Sequence, residues 1–74
     1  MTVSSNVYKE LDSYTLPNGN HLLCIRREYL HRIDFLGSPT GTHSILLSTA
    51  TDERIAAHWE GYKSNALRTY WENV

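Results

Sequence analysis

Asn18-Gly19, set within Pro17-Asn18-Gly19-Asn20, constrains this chain more than any other feature. Both residues tolerate positive φ, and apolar runs flank them, which is the strongest short hairpin signal a sequence carries. A link this short leaves the flanking strands antiparallel. Upstream, Tyr14 and Leu16 alternate with Ser13 and Thr15, the two-residue period of a half-buried strand from Tyr8 to about Leu16. Downstream, a second strand is expected over residues 21–27. Its run Leu22-Leu23-Cys24-Ile25 cannot place every side chain on one face. The strand is therefore either buried on both faces or presents apolar groups outward.

The remaining connections are also short. Glu28, Tyr29 and Leu30 read as a turn or bend, and a third strand fits 32–36, with Ile33 and Phe35 on one face and Asp34 on the other. Gly37-Ser38-Pro39-Thr40-Gly41 is a dense loop signal, in which Pro39 would fix φ and Gly41 would permit unusual geometry. A fourth strand fits 43–48, with Ile45 and Leu47 sharing a face. The apolar period then changes. Thr51, with Thr49 and Ser48 as alternatives, is the expected cap of a helix whose first turn holds Asp52 and Glu53. At 100° per residue, Ile55, Trp59, Tyr62, Ala66 and Tyr70 form one stripe on that helix. The expected fold is a small α+β domain, an antiparallel β-meander of three to four strands packed on one C-terminal α-helix. Residues 1–7 read as a loose arm and 8–74 as a single domain.

Composition narrows the function. At 74 residues there is no room for separate cofactor and catalytic domains, and a domain of this size is of marginal stability. One cysteine, Cys24, excludes an internal disulfide framework. The start of the chain lacks the apolar centre of a cleavable signal, and no apolar run is long enough to span a membrane, so a cytoplasmic location is expected. His21, Cys24, His31 and His43 are scattered and lack the paired spacing of a structural zinc site, so no metal and no cofactor are expected. Cys24 lies inside an apolar run, unlike a reactive thiolate, and the 37–42 loop lacks a P-loop ending and precedes a strand. No catalytic constellation is present, and the chain reads as a non-enzyme.

Two surfaces stand out. Arg26, Arg27, His31 and Arg32 surround Tyr29, the basic and aromatic mixture that binds single-stranded nucleic acid or protein. Glu28 and Asp34 lie in the same cluster and the net charge is −1, which weighs against direct nucleic-acid binding. On the helix flank, Leu67 and Trp71 fall outside the stripe. If Leu23, Ile25, Ile33, Phe35, Ile45 and Leu47 face the helix, then Leu22, Cys24 and Leu46 face away. One helix covers only one face, so the surplus points to a partner, to a homodimer, or to cover by the N-terminal arm through Val3, Val7 and Tyr8. The expectation is a protein-binding regulator using Arg26, Arg27, Tyr29, Arg32, Leu67 and Trp71. It would act by occupying a larger protein, as phage-type modulators of a host machine such as RNA polymerase or another nucleic-acid-processing complex do, an analogy of size and architecture. A nucleic-acid-binding accessory protein is the alternative.

Overall fold

The computed structural model describes residues 8–38 and 40–72. Among these, four strands form one antiparallel sheet in the order of the chain, and one helix follows. Strand β1 is Lys9–Thr15, β2 is His21–Arg27, β3 is Arg32–Leu36, β4 is His43–Leu46, and helix α1 is Asp52–Glu72. This is the small α+β meander expected. The proposed arm and Pro39 lie outside the described residues.

The β1–β2 link shows why its sequence matters. The Gly19 N–H donates to the Leu16 carbonyl at 2.9 Å, and the Leu16 N–H donates to the Asn20 carbonyl at 2.7 Å. Only Gly19 takes positive φ, at 91°, while the Asn18 side chain accepts from the Asn20 N–H at 3.0 Å. The turn thus has Pro17 and Asn18 at its corners and a left-handed glycine after them. On β1, a bulge between Glu10 and Asp12 shifts the register, so that Asp12 and Tyr14 pair with Cys24 and Leu22.

The faces of β2 are the reverse of those expected. Cys24 pairs with Phe35, and Leu22 and Cys24 belong to the core beneath the helix, with Leu16, Ile33, Phe35, Ile45, Trp59, Tyr62 and Ala66. Leu23 and Ile25 point to the other side. A continuous apolar run carries no alternation that could fix its phase, so the turn register decides it. Ile25 is nevertheless fully buried and Leu23 half-buried. The strand is therefore largely covered on both sides. Leu46 does face away, at 64% exposure.

Strand β4 is shorter than expected, because Leu47–Thr49 turns into a 3₁₀ segment that leads to the helix. Thr51 caps that helix: its Oγ1 accepts from the Arg54 N–H at 3.2 Å, and its carbonyl accepts from the Ile55 N–H at 2.9 Å. The stripe buries Trp59, Tyr62 and Ala66, and the Trp59 and Tyr62 rings meet that of Phe35. Leu67, read from sequence as surplus, packs against the same core. The stripe is wider than the five positions allowed for, since Leu67 lies beside Ala66 on the rim that the sheet still reaches. No helix of the described residues is long and apolar enough to cross a membrane.

Candidate functional site

The face of the sheet away from the helix has a polar centre. Asp34 is 1% exposed there, an expensive place for a carboxylate unless it is matched. Both of its oxygens are matched. Arg27 Nε donates to Asp34 Oδ2 at 2.7 Å, Arg32 Nε lies 2.8 Å from Oδ1, and the Ser44 hydroxyl donates to Oδ1 at 2.8 Å. Register produces this grouping. Arg27 sits opposite Arg32 and Asp34 opposite Ser44, all with side chains on one face. Burial alone would raise the Asp34 pKa. The Ser44 hydroxyl and the guanidinium groups of Arg32 and Arg27 outweigh it and hold the carboxyl below its ordinary value.

This changes the meaning of the basic segment. Arg27, with its side chain 15% exposed, is committed to Asp34 and also lies over the Tyr8 ring, 5.7 Å from its centroid. Arg26 is on the surface, paired with Glu28 at 2.7 Å. The segment presents the charged side chains of Arg26 and Glu28 to solvent, and apolar groups beside them. Tyr29, on the 3₁₀ turn Glu28–Leu30 between β2 and β3, is 65% exposed, and Leu30 is 39% exposed. Leu46 sits opposite Arg32 at the same end of the sheet, and the Leu47 N–H donates to the His31 carbonyl at 2.9 Å. Tyr29, Leu30 and Leu46 thus crown one end of the domain, beside the Arg32 side chain. Leu46 was visible in the sequence as an outward residue, but nothing there linked it to Tyr29, because the link runs through the β3–β4 register.

The other expected surface is divided. Leu67 is in the core, while Trp71 is 62% exposed and meets Tyr70 edge-on, with centroids 5.0 Å apart.

A second feature was not expected from sequence. A cleft of about 510 Å³ opens between the helix and the β3–β4 connection, lined by Thr40, Thr42, His43, His58, Tyr62 and Asn65, among others. The Tyr62 hydroxyl faces the carbonyls of Gly37, at 3.3 Å, and of Gly41, and so ties that connection to the helix. At its mouth His43 Nε2 and His58 Nδ1 lie 3.0 Å apart. The ring planes differ by 15° and the centroids are 5.2 Å apart, so the rings meet edge to edge through these nitrogens. Phe35 backs the His43 ring, with centroids 5.6 Å apart. His58 stands beside Trp59 on the margin of the helix stripe, and only the fold brings it to the first residue of β4.

Cys24 is 1% exposed. Burial, aided by the negative charge of Asp12, pushes its thiol up to about 11, so it is protonated at neutral pH. Among the described residues no group of three or more His, Cys, Asp or Glu side chains could hold a metal ion. Comparison with protein-family models, with curated proteins and with solved structures found no match.

Proposed function

We propose that the chain is a non-enzymatic protein-binding regulator that acts by occupying a larger protein or complex through the Tyr29, Leu30 and Leu46 end of its sheet. The observation that carries this reading is the commitment of the neighbouring cations. Arg27 and Arg32 neutralise the buried Asp34, and Arg26 pairs with Glu28. Nucleic-acid affinity rests on phosphate contacts by a strong basic field. Here the carboxylates sit among the arginines, with Glu28 itself exposed, and an exposed aromatic ring and two leucines lie beside them. An exposed aromatic beside arginine and apolar groups is the composition of a protein-binding hot spot. Trp71 is a further contact if the partner extends along the helix flank.

Capture from a nuclease-treated lysate by the immobilised chain tests the reading. A retained protein whose binding changes little between about 50 and 200 mM salt is expected, because a desolvated apolar contact is weakly screened. Retention of nucleic acid from a parallel lysate without nuclease, with affinity falling steeply over that range, would establish the alternative accessory role instead. Concentration-dependent self-association in the absence of lysate would make a second copy of the chain the occupant.

A further inference from the structure

We infer that His43 and His58 form a two-imidazole binding site for a late first-row transition ion, with copper(II) bound tightest. Imidazole nitrogen is the ligand type these ions share. The facing nitrogens are 3.0 Å apart. In the ion-free chain that separation is a hydrogen bond between the two rings. Copper(II) stands highest among the divalent first-row ions in affinity for nitrogen ligands.

The surroundings suit such an ion. His43 is exposed and His58 half-buried, so both rings have room to turn their lone pairs from one another toward a common point over the cleft. In the ion-free pair one facing nitrogen carries the hydrogen and the other accepts it. Binding replaces this hydrogen bond: the ring that donated carries its hydrogen on the far nitrogen, which leaves one nitrogen of each ring to ligate the ion. Phe35 from β3 backs His43, while Tyr62 and the Thr40 and Thr42 side chains share the cleft. None of the described residues lining the cleft is a carboxylate. The remaining positions on the ion therefore face water or an anion from solution. Because one ring comes from β4 and the other from α1, the ion would clamp the helix to the sheet and stabilise the fold by linkage.

Nickel(II), copper(II) and zinc(II) titrated in turn into the full chain, followed by calorimetry and by the melting temperature, test the site. One ion per chain is expected, with copper(II) tightest and a melting temperature that rises with the ion. His43→Ala and His58→Gln should each weaken nickel(II) binding at least tenfold, while His21→Ala leaves it unchanged. Nickel(II) affinity retained in His43→Ala, or lost in His21→Ala, overturns the assignment. His43 has an exposed side chain, so its variant decides the matter even if His58→Gln proves unstable.

Discussion

Asp34 makes a distinctive demand on its neighbours. A buried carboxylate deprived of its partners costs about 3–5 kcal/mol, a large part of the stability of a small domain. Changing both Arg27 and Arg32 to Ala is therefore expected to unfold the protein or lower its melting temperature by well over 10 °C, on the scale of about 4–8 °C per kcal/mol. Arg26→Ala removes only an exposed pair with Glu28 and should shift stability by about 1 kcal/mol or less. Thermal melts of the two variants separate these roles, and equal melting temperatures would show that the Asp34 cluster is not structural. From sequence alone, all three arginines read as equivalent surface groups. The cluster also sets a pH dependence. The folded carboxyl is held below its ordinary value, so the unfolded chain binds more protons as the pH drops below about 4. The contribution of Asp34 to stability is present above that range and is lost as the pH falls toward the folded value. Asp34→Asn should lower stability at neutral pH and flatten its decline as the pH falls below about 4, as acid unfolding monitored by circular dichroism would reveal.

At the scale of elements, two glycines make opposite predictions. Gly37 ends β3 with φ 152°, and a Cβ there would overlap Leu22 Cδ2 and lie 3.0 Å from the His21 carbonyl oxygen. Its own carbonyl receives the Gly41 N–H at 2.8 Å and faces the Tyr62 hydroxyl. Gly37→Ala should cost about 1–3 kcal/mol, since backbone or core must yield. Gly61 lies within α1 with open space around its missing side chain, so Gly61→Ala should add up to about 1 kcal/mol. Denaturant midpoints moving in opposite directions would bear out both; a stabilised Gly37→Ala would contradict the packing of β3 on β2. The elements were legible because each has a local cause: Gly19 at the hairpin, Thr51 at the helix start, the period of Trp59, Tyr62 and Ala66. The phase of β2 was not, because Leu22 to Ile25 are apolar throughout and only pairing with Phe35 decides which side Cys24 takes. The contribution of Leu67 to the core was hidden for a related reason: the width of a buried stripe depends on how far the sheet extends beneath it.

For the whole molecule, the question is how a domain with one helix manages two faces of a sheet. The helix covers Leu22, Cys24, Ile33, Phe35 and Ile45. The opposite face has the Asp34 network at its centre and leaves Leu46, with Tyr29 and Leu30 nearby, in solvent. The candidate site was therefore only partly readable. The segment was found by its density of arginine and tyrosine, whereas the side chains left free to bind emerged only once Asp34 was seen to claim two of the arginines. The His43–His58 pair was hidden in the same way, since it joins two elements through the packing of α1 on β4. The most direct test of the central claim is the affinity of a Tyr29→Ala, Leu46→Ser double variant for the protein captured by the parent chain. Both side chains are mostly exposed, so the melting temperature should stay within about 4 °C of the parent. Affinity should fall by about thirtyfold or more, the scale of two modest hot spots. A double variant that folds normally and binds as tightly as the parent would contradict the account.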